Sequence, residues 1–307
     1  MGELLASAWV PPKGVTRHAG SPISSELDFF LPPPPEIGQI ISADSTLNIG
    51  QQPTPMSKRM ITSCLVGLVA GAIAWGILYL ISQPYPVVLA IVGLIAGVIA
   101  YFCYGFHHSC TYVGEQGIAE IRLNGSREAT PQTHLLLFQE AANLYTSQTR
   151  RYKNGFYRGT SYSYQWTRPR NKTYVLSGQY HSEQGWPEDR NLWHFANSAE
   201  TAWSSYMLGV INEQLTRLGY VEFPMQGNPQ AVRVGQGFLE FVLKDGTMQR
   251  AAVEDMRDMR LGAGQFHFTH KDARWWSGKG KYSFTYSTIP NARLFLICMR
   301  TLAGITF

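Results

Sequence analysis

The sequence predicts an α+β membrane protein: a two-helix transmembrane hairpin followed by two antiparallel β-meander domains, each closed by a C-terminal helix. Three observations predict it. Residues 60 to 105 contain no Asp, Glu, Lys, Arg or His. Residues 110 to 307 read as short alternating strands broken by glycine turns, with helical periodicity at two places. The opening of that region also recurs later in the chain.

The hairpin comes first. Met60 to Ser82 is a run of 23 residues and Val87 to Phe106 a run of 20. At about 1.5 Å per residue each spans about 30 Å, the thickness of a hydrocarbon core. Gln83-Pro84-Tyr85-Pro86 stops the first helix and turns the chain back. Gly67 and Gly71 in the first helix, and Gly93 and Gly97 in the second, follow a small-xxx-small spacing that lets backbones approach closely. Lys58-Arg59 precedes the hairpin, its turn is uncharged, and a net basic region follows. The positive-inside rule then makes this an integral membrane protein with both termini cytoplasmic. On that side Asn124-Gly-Ser126 and Asn171-Lys-Thr173 are chance matches to the glycosylation sequon. His107-His108 reads as an interfacial anchor.

The apolar fraction of 45% is ordinary, so the average conceals this segregation. Cys64, Cys103, Cys110 and Cys298 have no CxxC spacing, which excludes a zinc ribbon or thioredoxin-type site. They read as reduced thiols facing a reducing compartment. Residues 1–59 are rich in Pro, Ser and Gly with little core-forming periodicity, and read as a disordered arm. Within it, Leu31-Pro-Pro-Pro-Pro-Glu36 favours polyproline II.

The soluble region carries an internal repeat. Val113-Gly-Glu-Gln-Gly-Ile-Ala-Glu-Ile-Arg-Leu-Asn-Gly125 parallels Val234-Gly-Gln-Gly-Phe-Leu-Glu-Phe-Val-Leu-Lys-Asp-Gly246. Each is a glycine turn, an alternating strand and an Asn-Gly or Asp-Gly turn. Phe138 to Leu144 parallels Val253 to Met259 in the same order. A first closing helix, capped by Asn197 or Ser198, runs to Gly219 with Trp203, Met207, Ile211 and Leu215 on one face. A second begins near Pro290, buries Leu294, Phe295, Cys298 and Leu302, and stops at Gly304.

A meander closed by one C-terminal amphipathic helix is the plan of a pleckstrin-homology-like domain. The chain resembles bacterial membrane-anchored proteins with tandem pleckstrin-homology-like domains, a family of unassigned activity. The resemblance covers roughly residues 109 to 305. It rests on strand order, the repeated opening and the two closing helices, without a diagnostic motif. It implies domains at 109–219 and 220–307. The stretch from Tyr180 to Asn197, with Trp186-Pro187 and Trp193, departs from the plan.

No GxSxG, HExxH, GxxxxGK[ST] or helix-opening GxGxxG occurs, so no catalytic residue, metal ligand or cofactor is assigned. The informative stretch holds Arg150, Arg151, Lys153, Arg158, Arg168, Arg170 and Lys172, interleaved with aromatics and free of acids. Lys153-Asn154-Gly155-Phe156 turns a hairpin of 144–152 on 157–167, and Arg168 to Asn171 makes the next turn. The cations therefore fall into two clusters at opposite ends of the second strand. A further basic-aromatic turn holds Arg274, Trp275, Trp276, Lys279 and Lys281. Three readings stay open: a solvated hairpin, contact with anionic lipid headgroups, and single-stranded nucleic acid. An anchored location weighs against the last.

The expected function is a non-enzymatic membrane-anchored binding or scaffold protein. It would engage anionic headgroups, a protein partner or a second copy at the cytoplasmic face. The alternatives are an accessory subunit of a membrane enzyme or transporter, and a membrane-tethered nucleic-acid binder.

Overall fold

The computed structural model describes residues 9–24, 28–46, 55–81, 86–103, 107–124, 130–225, 227–274 and 280–307. Two long helices, α1 (Met56–Ile81) and α2 (Pro86–Cys103), fill the apolar block. α1 begins four residues before the expected Met60, because the amphipathic turn with Lys58 and Arg59 continues the helix. Residues 104–106, up to the expected end at Phe106, lie outside the described residues. The turn at Gln83–Tyr85 lies outside the described residues. Both helices are long and apolar enough to cross a membrane, and only 6% and 11% of their most apolar windows are buried. They are therefore not core helices of the globular part.

The helices pack through their glycines. A Cβ on Gly67 would stand 2.7 Å from the Gly93 carbonyl oxygen, and one on Gly97 3.1 Å from that of Ser63. At the open end, Arg59 Nη2 donates to the Tyr101 carbonyl at 2.9 Å, with the guanidinium 4.4 Å above the Tyr101 ring.

Within the arm, residues 9–24 and 28–46 are built into the fold. β1 (Ile40–Ser45) pairs antiparallel with β2 (His107–Gly114), setting Ala43 against Tyr112 and Ser45 against Cys110. With β3 (Gly117–Asn124) and β4 (Gln132–Leu137) they form a four-stranded sheet in the order β1-β2-β3-β4. The first globular unit thus takes its edge strand from the arm, and the apolar hairpin is inserted between two hydrogen-bonded neighbours. Phe29, Phe30 and Leu31 also bury against one face of this sheet, with Ile37 and Tyr112. The proline run lies at the surface between the buried Leu31 and Ile37, with Pro32 and Pro35 exposed and Pro33 and Pro34 half-buried, and leads into a 3-10 turn at Pro35–Ile37. His107-His108 opens β2. His108 is 2% exposed, its Nδ1 3.2 Å from Thr46 Oγ1 and its Nε2 3.2 Å from Cys110 Sγ.

After a 3-10 turn at Phe138–Glu140 come β5 (Asn143–Lys153), β6 (Phe156–Thr167) and β7 (Tyr174–Tyr180), a second sheet in that order. α3 (Leu192–Leu218) follows. It starts earlier than expected, because Asn191 is the cap: its side chain accepts from the Trp193 amide at 2.9 Å. The stretch before Asn197 is thus partly helix, with Trp193 and Phe195 buried. Gly219, at φ 75°, ends α3.

The element order then recurs. β8 (Tyr220–Pro224), β9 (Ala231–Gly235), β10 (Phe238–Val242) and β11 (Met248–Ala252) make a four-stranded sheet. A 3-10 turn at Val253–Asp255 leads to β12 (Met256–Gly262), β13 (Gln265–His270) and β14 (Lys281–Thr285), and α4 (Ala292–Thr301) closes. α3 serves both cores. Its first half buries Phe195, Ala199 and Trp203 with Phe138 and Trp166, while Ile211 joins Val221 and Phe295. Asn291 fastens the units. Its amide donates to the Leu144 carbonyl at 2.7 Å, and its side chain accepts from the Leu144 amide (2.9 Å) and Trp203 Nε1 (2.8 Å).

Candidate functional site

The longest ladder in the protein is β5–β6, paired from Asn143–Thr167 to Lys153–Phe156. β7 follows β6 only as far as Thr160–Tyr180. Residues 151 to 158 therefore extend past the β6–β7 ladder as a two-stranded ribbon, with Arg150, opposite Thr160, at its base. Asn154 and Gly155, at φ 53° and 79°, make its tip, the left-handed pair that a two-residue hairpin turn requires. Gly159, at φ 126°, stands where the ribbon leaves the sheet, and a Cβ there would overlap the Gln179 side-chain amide.

Arg150, Arg151, Lys153 and Arg158 are all exposed on this ribbon. Among the described residues none of them forms an ion pair with a carboxylate. Phe156 is 71% and Tyr152 52% exposed, so two aromatic rings accompany the charges. The Tyr152 hydroxyl lies 3.4 Å from Glu183 Oε1, and its ring meets Tyr157 edge-on at 5.8 Å. Four uncompensated cations and two open rings on a short ribbon fit an anionic surface with an apolar layer beneath it.

The second cluster lies at the other end of β6, about 40 Å away at about 3.3 Å per residue. Arg168 there is a brace. Its Nε donates to the Lys172 carbonyl at 2.7 Å, its Nη1 lies 3.8 Å from Glu140 Oε2, and its side chain is 16% exposed. Arg170 and Lys172 are exposed. Arg274 lies in the β13–β14 connection and Lys281 opens β14, each with a partner. Trp275, Trp276 and Lys279 lie outside the described residues. Asp255 neutralises part of that region through Lys271, 2.5 Å away, which holds the Asp255 carboxyl below its usual range.

One polar cluster has no linear signature. Arg17 Nη1 lies 2.8 Å from Asp44 Oδ1, and Arg17 Nη2 pairs with Asp28, whose side chain is 1% exposed. Burial pushes the Asp44 carboxyl up, against the pull of the His18 amide and Arg17. His18 Nδ1 lies 2.8 Å from Ser42 Oγ and Nε2 3.0 Å from Thr111 Oγ1. Burial is the main cause that drives His18 down to about 3, so the ring is neutral near pH 7. This cluster pins the arm to the sheet and to α3, where Ser198 Oγ meets Ser42 Oγ at 3.0 Å.

Two contacts superficially resemble nucleophile–base pairs. Ser42 beside His18 is 3% exposed, which leaves no path for a substrate. Cys110 beside His108 is fully buried, and burial raises its thiol, so it is no thiolate. Among the described residues no three His, Cys, Asp or Glu side chains gather as metal ligands do. No protein-family model, no curated protein and no solved structure matches this chain.

Proposed function

We propose that this chain is a membrane-anchored, non-enzymatic binding protein whose ribbon at residues 151–158, with Arg150 at its base, docks on anionic lipid headgroups at the cytoplasmic face. In this reading α1 and α2 span the bilayer. The two globular units are duplicated pleckstrin-homology-like domains. The twofold order of four strands, three strands and a helix supports the duplication. Lys58-Arg59 beside an uncharged hairpin turn supports the cytoplasmic orientation.

The overhang carries the functional reading. Each cation beside an anionic leaflet contributes about 1 kcal/mol, so four contribute about 4 kcal/mol. That is about three orders of magnitude in a docking equilibrium that the tether has already made intramolecular. Tyr152 and Phe156 suit the interfacial layer below the phosphates.

The test uses the full chain in bilayer nanodiscs, with Cys64→Ser and Cys103→Ser to remove the exposed thiols. A fluorophore at Phe156→Cys reports contact with headgroup-nitroxide lipids. Quenching should rise several-fold when anionic lipid is added, and fall back in Arg150→Gln/Arg151→Gln/Lys153→Gln or in high salt. Equal quenching in anionic and zwitterionic discs would refute headgroup docking. A chain that stays in solution through ultracentrifugation without detergent would refute the anchor itself.

A further inference from the structure

A second step rests on the reading of α1–α2 as a membrane hairpin. The hairpin is spliced between β1 and β2, and only three residues separate Cys103 at the end of α2 from His107 at the start of β2. Four Cα–Cα steps reach at most about 14 Å. Arg59 on Tyr101 closes the open end of the helices, and such an Arg–Tyr pair belongs at headgroup level.

The register then identifies one end of the sheet. Thr46 donates its amide to the Ser109 carbonyl at 3.0 Å, just past the end of β1. His107 lies opposite Asn124, and Arg122 opposite Gln132. Thr46, His107, Asn124 and Gln132 therefore share the end from which the hairpin leaves. At the other end Ile40 pairs with Gly114 and Leu137 with Gly117, around the exposed Glu115-Gln116 turn. β2 and β3 have eight residues each, so the two ends stand about 26 Å apart at about 3.3 Å per residue.

We infer that the Thr46–His107–Asn124–Gln132 end of the four-stranded sheet is a docking surface held against the lipid headgroup layer, with the Glu115-Gln116 turn facing the aqueous phase. A freely hinged unit would need a longer leash than three residues. Here the leash enters a strand paired with β3 from His107 and with the β1 side from Ser109, so the sheet cannot turn its far end to the bilayer without breaking β2.

The test uses the full chain in zwitterionic nanodiscs, in the Cys64→Ser/Cys103→Ser background, with one fluorophore at a time. Gln132→Cys and Glu115→Cys are exposed positions, and Leu80→Cys on α1 reports the hairpin. Headgroup-nitroxide lipids should quench Gln132→Cys at least threefold more than Glu115→Cys, and acyl-chain nitroxides should quench Leu80→Cys. Equal quenching at 132 and 115 with Leu80→Cys quenched overturns the docking surface and leaves the hairpin standing. An unquenched Leu80→Cys overturns the membrane reading and this inference together.

Discussion

The sheet β1–β4 and the sheet β8–β11 have the same strand order and, apart from a register shift between Ile40 and Ser42 in β1, the same antiparallel register, yet one face is treated oppositely. In the second sheet, Glu222, Arg233, Glu240 and Arg250 form a row across the four strands. Arg233 bridges Glu222 at 2.6 Å and Glu240 at 2.8 Å, and the Arg250 guanidinium lies 3.4 Å over the Phe238 ring. In the first sheet the corresponding row is Ala43, Tyr112, Ala119 and Leu135. The first three are fully buried, packed with Phe29, Phe30 and Leu31 from the arm. A row that faces water alternates in sign and neutralises itself across the strands. A row that faces a cover becomes apolar. The arm is therefore a structural layer of the first unit, and the hairpin is an insertion into a unit that could exist without it.

The largest expected effect separates these two parts. Deleting residues 1–46 removes β1 and the cover, and bares Tyr112 and Cys110. In a Cys64→Ser/Cys103→Ser background, Cys110 should react with a thiol reagent at least a hundredfold faster, while Cys298 in the second core stays protected. The reciprocal change replaces 46–106 by a six-residue turn of the length that joins β8 to β9. It should leave both thiols protected and the chain soluble without detergent. A Cys110 still protected after arm deletion, or an aggregated chain after hairpin excision, would dissolve the distinction between cover and insertion.

A smaller effect contrasts two arginines with the same job. Arg17 and Arg233 each join two carboxylates, but Asp28 beside Arg17 is 1% exposed and Glu222 beside Arg233 is 37% exposed. Burial alone would lower the Arg17 pKa, and its hydrogen bonds to Asp28 and Asp44 outweigh that cost and raise it. Arg17→Ala strands buried carboxylate charge and should cost about 3–5 kcal/mol. Arg233→Ala loses a solvent-screened bridge and should cost about 0–1 kcal/mol. Urea midpoints for protection of Cys110 and Cys298 measure the two. Equal shifts would mean that the arm is held no more tightly than an open surface.

The contrast also marks what sequence alone can convey. The second sheet was readable because its strands alternate and its turns carry glycine, each within a short window. The ribbon was readable from Asn154-Gly155 and the basic run around it. Its overhang was not, because that depends on where β7 stops. β1 was hidden for a different reason. Ile-Ile-Ser-Ala-Asp-Ser has no clear strand pattern of its own, and its partner lies beyond the whole hairpin. One hint was present: Cys110-Thr-Tyr-Val113 and Ile118-Ala-Glu-Ile121 carry apolar residues on both faces, as strands covered on both sides do. The Asn191 cap was obscured by Asn197 and Ser198, equally good caps nearly two turns further on. The Arg168 brace was invisible because Glu140 meets it only through folding.

The smallest effect lies at a glycine that both sheets share. Gly114 ends β2 and Gly235 ends β9, and neither has the left-handed φ that excludes alanine. A Cβ on Gly235 would overlap the Phe238 ring, a half-buried side chain that can swing aside at the loss of its contact with Arg250. A Cβ on Gly114 would overlap the Ile37 carbonyl oxygen, which is backbone. That oxygen also accepts the Gln116 amide at 2.9 Å, so it cannot withdraw without leaving a donor unpaired. Gly114→Ala should therefore cost about 1–3 kcal/mol as overpacking against a fixed neighbour, and Gly235→Ala less than about 1 kcal/mol. The first should lower the urea midpoint for Cys110 alone, and the second should barely move that for Cys298. If both midpoints move equally, the arm yields as readily as a single ring, and its contact with the sheet is softer than the backbone geometry at Ile37 requires.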